Sequence, residues 1–267
     1  MIRHCIITPT KFINDPLVGW RSDFILALSH LLDVECTNKY AQALRSSWKD
    51  IYLDNGTFEN GVPEDHNSLL RKAKLIDAKY VFASDYLYDD ERSKEALERM
   101  AQIRNLHHLN IKLGYVVQAK TIEWYLKNYK RAEQNPDIDL IGISILTIPY
   151  CRQESTWTPD ITYNRIQTIE TIDNEIHPKK DAHLLWLGGS LLDLKKATFY
   201  PWIKSNDSCS AFMTWLYGKV YEDMMVPWGK IKQKVDFDYH YNLDETQQKC
   251  ITENIDTILS ITHTDDN

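Results

Sequence analysis

The sequence predicts a single-domain α/β protein, a (β/α)8 TIM barrel, and three observations point there. Short apolar runs recur at about the 30-residue interval of one strand-plus-helix unit. Most of these runs are separated by segments with apolar residues at helical spacing. Several runs end in a polar side chain: Ile51-Tyr52-Leu53 leads into Asp54, Ala78 to Ser84 into Asp85, and Leu113 to Val117 into Gln118. In a parallel barrel the strand ends share one mouth, where barrel enzymes keep their chemistry. A chain of 267 residues can bury the core such a barrel needs.

In chain order, His4 to Thr8 reads as the first strand, closed by Pro9; the run from Arg21 through Leu32 reads as one amphipathic helix or as a strand followed by a helix, and the barrel count selects a second strand at Arg21 to Leu28. Lys39 to Lys49 is a helix feeding the Asp54 strand. His66 to Ile76 carries the one-sided apolar pattern of an outer helix. Asp89 to Arg104 follows the Asp85 strand and opens with acids, as a helix start does. Thr121 to Gln134 follows Gln118, with Ile122, Trp124, Tyr125 and Tyr129 as its expected inward side. Leu140 to Ile145 is the next strand, and Leu146 to Pro159 reads as a loop over the mouth. A helix over Tyr163 to Glu175, a strand at His183 to Gly189, a short helix at Lys195-Lys196, a strand at Trp202 to Asp207 and a helix from Ala211 to Met225 complete the ring. The barrel is expected over residues 1–235, and an acidic C-terminal helix and tail over 236–267.

Composition narrows the class. With 43% hydrophobic and 26% charged residues, a soluble globular protein is expected. No apolar stretch approaches the roughly 18 residues that span a bilayer. Met1 to Cys5 does not read as a signal peptide, so a cytoplasmic location is expected, without a membrane partner. The five cysteines are widely spaced with no Cys-x-x-Cys, so neither a disulfide framework nor a metal site is expected, and no cofactor motif is present. Cys209 stands two residues after Asp207 and reads as a reduced thiol near the mouth.

The net charge of -7 is unevenly spread. Residues 191–234 hold seven lysines, Lys195, Lys196, Lys204 and Lys219 among them, against four acids, and residues 235–267 hold one lysine against eight acids. The basic stretch is interleaved with Trp202, Trp215, Tyr217 and Trp228. It reads either as a solvated helix face or as a surface that follows a phosphate backbone and stacks bases.

Asp54-Asn55-Gly56 reads in two ways as well: an Asx turn, or a strand end presenting a carboxylate to the mouth. The ordered strand ends resemble the tRNA-guanine transglycosylase superfamily, and more closely the short DNA-guanine transglycosylase-like proteins of bacteriophages, from about residue 20 to residue 215. Asp54-Asn55-Gly56-Thr57-Phe58-Glu59 is similar to the family's Asp-Ser-Gly-Gly-Phe-Gln, departing at Asn55, Thr57 and Glu59. Asp85 resembles its base-reading aspartate, Gln118 the glutamine of its Val-Gln-Gly, Gly142 and Gly188 its glycine-bearing strands, and Asp207 the nucleophile of its Phe-Asp-Cys. The Cys-x-Cys-x-x-Cys plus His zinc site of the tRNA enzymes has no counterpart in the sequence.

The resemblance implies base exchange through a covalent aspartyl-sugar intermediate. Asp207 would be the nucleophile and Asp54 the general acid/base. Asp85 and Gln118 would bind guanine, with Asn55, Gly142 and Gly188 beside it and Phe58 stacked on its face. The implied partners are DNA, with tRNA as the alternative, and a 7-deazaguanine such as preQ0; a homodimer is allowed. A nucleoside or glycoside hydrolase on the same barrel, and a non-catalytic subunit of a base-modifying complex, stay open.

Overall fold

The computed structural model describes residues 1–152, 160–186, 190–215, 220–221 and 243–263, with the backbone alone at 160, 213 and 215. Eight parallel strands form the barrel: β1 (Arg3–Ile6), β2 (Ile25–Ala27), β3 (Ile51–Leu53), β4 (Tyr80–Phe82), β5 (Lys112–Val116), β6 (Leu140–Ser144), β7 (Ala182–Leu185) and β8 (Ile203–Ser208). Each strand pairs with the next from β2 to β8, and β8 pairs with β1. The seam between β1 and β2 is closed mostly by side chains. His4 N donates to Asp23 Oδ2 (2.8 Å), Ile6 N to Ser22 Oγ (2.9 Å) and Leu26 N to Cys5 Sγ (3.1 Å). Asp23 N completes the seam by donating to His4 O (2.8 Å). Backbone donors that a ladder would satisfy thus find partners by other means.

The helices are α1 (Lys39–Arg45), α2 (Thr57–Asn60), α3 (His66–Leu75), α4 (Asp90–Leu106), α5 (Ile122–Gln134), α6 (Thr147–Cys151), α7 (Asp160–Ile176), α8 (Leu192–Ala197), α9 (Ser210–Trp215) and α10 (Glu245–Thr262). Their starts follow from short polar side chains. Asn38, Asp65, Asp89, Thr121 and Asp244 each accept a hydrogen bond from a first-turn N–H of α1, α3, α4, α5 and α10, and Asp244 forms a capping box with Gln247.

Two apolar layers result. Inside the barrel lie Cys5, Phe24, Leu26, Tyr52, Tyr80, Phe82, Val116 and Leu140. Outside it, the helices bury a larger shell against the sheet. Helix α10 belongs to that shell: Ile251, Ile255 and Ile258 are buried, the helix packs on α9, α8 and β1, and Ile2 N donates to Thr262 O (3.1 Å). Each buried isoleucine contributes about 1.5–3 kcal/mol.

Two sequence expectations are corrected. Trp124 does not face inward: it is 54% exposed, because the buried stripe of α5 runs through Tyr125, Tyr129 and Ala132, and Lys127 lies over the indole at 4.1 Å. Thr147–Cys151 is not loop but the short buried helix α6, tied down by Cys151 Sγ donating to Ala119 O (3.1 Å). Residues 153–159 of the expected loop, 216–219 and 222–225 of the expected last barrel helix, and the tail from 264 lie outside the described residues.

The strands also pack closely at a glycine of β6. A Cβ at Gly142 would stand 2.7 Å from Leu185 Cδ1 and 3.0 Å from Val116 Cγ2. Gly142→Ala is therefore expected to cost about 1–3 kcal/mol by overpacking. The check is a lowered urea midpoint at an unchanged denaturant slope.

Candidate active site

The carboxyl ends of the strands enclose a cavity of about 160 Å3, of the order that takes up a benzene-sized ring. Ile7, Leu26, Leu28, Val116 and Leu185 form its apolar walls; Asp54, Asp85, Asp207 and Glu59 supply the carboxylates. No lysine or arginine stands among its described lining residues.

Asp54 leaves β3 at a turn made possible by Gly56, whose φ of 74° is left-handed. Gly56 N donates to Asp54 Oδ2 (2.8 Å), so the residue makes an Asx-type turn and lines the cavity at once. Both sequence readings of Asp54 are satisfied. Burial, then the charges of Glu59, Asp85 and Asp207, push its carboxyl up to about 8, against the single lowering contribution of the Gly56 N–H.

Asp85 is held by neutral donors. Asn55 Nδ2 donates to its Oδ1 (2.7 Å) and Gln118 Nε2 to its Oδ2. Burial pushes its carboxyl up, and these hydrogen bonds oppose the shift. Asn55 is itself fixed, donating also to Ala83 O (2.8 Å) and accepting from Thr57 N (3.0 Å).

Asp207 is built differently. Its Oδ1 lies 2.8 Å from His183 Nε2 and accepts from Trp186 N at 3.4 Å; His183 Nδ1 lies 2.8 Å from Ser205 Oγ. Strand register explains the chain of contacts. His183 pairs with Ser205 across β7 and β8, and the two-residue period puts Ser205 and Asp207 on the same inward face. The His183 ring is fully buried among Phe24, Tyr52 and Phe82. Trp186 is bent into the left-handed region at φ 60°, costly for a bulky side chain. Arg165 holds the bend: its NH1 donates to Leu185 O (3.0 Å) and Trp186 O (2.6 Å), and it forms a fully buried ion pair with Asp193.

The structure thus brings together Asp54, Asn55, Phe58, Asp85 and Asp207 at the cavity. Phe58 is half exposed at the rim, edge-on to Trp186 at 5.2 Å. Gln118 stands behind the lining residues: its Oε1 accepts from Tyr88 N and Thr147 Oγ1 (2.9 Å each) while its amide nitrogen serves Asp85. Gly142 lies inside β6, packed against Leu185 and Val116, two of the cavity-wall residues.

Lys195 and Lys196 lie in the returning half of α8, where Lys196 pairs with Glu170 (3.2 Å). Lys204 is exposed near the start of β8, three residues and about 10 Å before Asp207. None of the three lines the cavity. Trp202, offered for base stacking, is buried and donates to Asp173 Oδ1 (2.8 Å). Gly188 and Lys219 lie outside the described residues. Cys209 does line the cavity, and burial beside Asp207 pushes its thiol up to about 12, so it stays protonated. Among the described residues no three His, Cys, Asp or Glu side chains are arranged to hold a metal ion, and no helix is long and apolar enough to cross a membrane.

Fold and cavity together define a (β/α)8 barrel with a carboxylate-lined site at the carboxyl ends of its strands. No protein-family profile and no curated protein matches the chain. Solved structures do. A variant of the citrate synthase SbnG aligns at a TM-score of 0.51 and 12% identity, over 77% of this chain and 85% of that one. The tryptophan synthase alpha chain of Legionella pneumophila aligns at 0.48 and 9%, over 98% and 93%. At 12% identity the likeness to the first is one of fold alone.

Two outcomes test the site's construction. Arg165→Met strands Asp193 as a buried unpaired charge, with an expected loss of about 3–5 kcal/mol in chemical denaturation; adding Asp193→Leu should recover most of it. Asp54 sets a pH dependence. Below the ordinary carboxylate value near 4 both folded and unfolded chains hold its proton, and between there and about 8 only the folded chain does. Its contribution to stability therefore falls as pH rises through that window. Asp54→Asn should flatten that fall in denaturation midpoints measured across it.

Proposed function

We propose that this chain is an enzyme of N-glycosidic bond exchange, a transglycosylase that replaces guanine in DNA by a 7-deazaguanine of the preQ0 kind. The observation that carries the reading is one cavity lined by two strand-end aspartates, Asp54 beyond β3 and Asp207 on β8. Asp207 accepts hydrogen bonds on one oxygen, as a carboxylate nucleophile does, and Asp54 keeps its proton up to about 8, as a general acid does.

In the proposed reaction Asp207 attacks the anomeric carbon as the carbon–nitrogen bond breaks. The bond's electron pair leaves with the base, which takes its proton from the Asp54 carboxyl. The incoming base returns a proton to the Asp54 carboxylate and displaces Asp207 from the sugar. Asp85, fixed by Asn55 and Gln118, keeps lone pairs that accept N–H groups of a bound purine. Gln118 acts here through Asp85 rather than on the base. Phe58 and Trp186 stand at the rim, where a flipped base would enter. The preference for DNA over tRNA rests on the sequence resemblance and on the missing zinc-ligand motif.

A second reading has its own support. With no lysine or arginine among the described lining residues, the cavity also suits a small uncharged nucleoside, cleaved by water. One assay separates the two: labelled guanine in duplex DNA, single-stranded DNA, tRNA and free nucleoside, with and without preQ0. The expected result is release from DNA that depends on preQ0, falls about 10^3-fold or more in Asp207→Asn, and passes through a protein–DNA adduct that this variant lacks. Release without uptake would favour the hydrolase, and release indifferent to Asp207 would overturn the mechanism.

A further inference from the structure

We propose that His183 is the positioning residue of Asp207, selecting which carboxylate oxygen reacts; the catalytic half of this inference rests on the function proposed above. Both hydrogen bonds that the described residues give the carboxylate, from His183 Nε2 and Trp186 N, fall on Oδ1. The carboxylate only accepts, so Nε2 carries the hydrogen of the 2.8 Å contact. Ser205 Oγ, 2.8 Å from Nδ1, completes the ring's hydrogen bonding. The imidazole is fully buried and ringed by Phe24, Tyr52 and Phe82, so it has one orientation and no competing water.

The consequence is chemical. With Oδ1 held, Oδ2 is the oxygen that bonds to the sugar carbon. In the resulting ester Oδ1 is the carbonyl oxygen, still facing the His183 N–H and the Trp186 N–H. When the incoming base displaces the ester, the C–Oδ2 electron pair returns to the carboxylate and the same two donors stabilise the anion. His183 touches neither sugar nor base; it acts through Asp207. In the first displacement the contact orients Oδ2 toward the sugar, and in the second the charge-assisted hydrogen bond stabilises the departing carboxylate and lowers that barrier.

The test compares a side chain with a donor at the Nε2 position against one without. His183→Gln places an amide N–H at the same reach, and His183→Phe keeps a ring of similar shape among three aromatic neighbours with no donor. Exchange kinetics should show His183→Phe losing about 10- to 100-fold in kcat with KM within about 2-fold, and His183→Gln staying within about 5-fold of wild type. Should His183→Phe fail to fold, as read by circular dichroism and Tm, His183→Met supplies the donor-free arm.

Independently of activity, long-range 1H–15N spectra of the wild-type protein should show His183 protonated at Nε2, with that resonance moved in Asp207→Asn. Equal losses in the donor and donor-free variants, or an unprotonated Nε2, would overturn the proposal. A wild-type protein that exchanges no base would sink the proposed function and the catalytic half of this inference with it, while the spectra would still decide the hydrogen bond.

Discussion

Three aspartates share an apolar cavity in which no described lining residue carries a positive side chain, and much of the molecule's polar interior is arranged to make that tolerable. A buried carboxyl without a cation can be protonated or held by neutral donors. Asp54 takes the first course, with Glu59 adding to the effect of burial. Asp85 takes the second, between the amides of Asn55 and Gln118. Asp207 is held by an imidazole and a backbone N–H. Each solution recruits a further layer: Thr147 and the Tyr88 N–H on Gln118, Ser205 on His183, and the Arg165–Asp193 pair beneath Trp186. A buried network of this kind resists rearrangement, because losing a partner leaves a buried polar group unpaired.

The fold was legible because its signals are local. Apolar runs of three to six residues and helical spacing between them suffice to place strands and helices, and a carboxylate closing a run marks a strand end. That located Asp54, Asp85 and Asp207 at one mouth. The supporting residues were not legible, because their contacts depend on strand register and on long-range packing. His183 meets Asp207 only once β7 and β8 are paired, and Arg165 on a helix of mixed polarity gives no sign that it ends fully buried. Gln118 and Gly142 were found for their position at strand ends and within strands, yet the structure spends one on Asp85 and the other on packing. Trp124 shows the complementary failure: a large aromatic reads as core until the helix phase is fixed by Tyr125 and Tyr129.

Charge along the chain differs from charge at the mouth for a related reason. In a βα unit the strand climbs to the mouth and the helix returns from it, so a lysine close in sequence to a site residue can stand at the far end of the barrel. Lys195 and Lys196 fall in the returning half of α8, and Lys204 near the start of β8. Among the described residues the field at the cavity comes instead from the acids Glu59, Asp85 and Asp207. Such a field disfavours a phosphate in the cavity itself and suits a neutral base offering N–H donors. A polynucleotide substrate would therefore present its base to this cavity while its phosphates were met elsewhere.

Backbone strain at the mouth follows the same division between the cavity carboxyls and their supports. Trp186 and Tyr88 are both held at positive φ, 60° and 64°, the first directly after β7 and the second in the segment between β4 and α4. Neither is glycine, so each conformation must be enforced from outside. Trp186 is enforced by Arg165, which takes up the carbonyls of Leu185 and Trp186, and Tyr88 by Gln118, which accepts its N–H, and by stacking on Tyr150 at 3.9 Å. Gln118 therefore orients Asp85 and fixes the loop beside it through one amide group. Arg165 fixes the bend that aims the Trp186 N–H at Asp207. The precision of the site comes from buried side chains on α7 and at the end of β5 rather than from the loops that carry the rim, so changes at Arg165 or Gln118 would be felt at the carboxylates without touching a substrate.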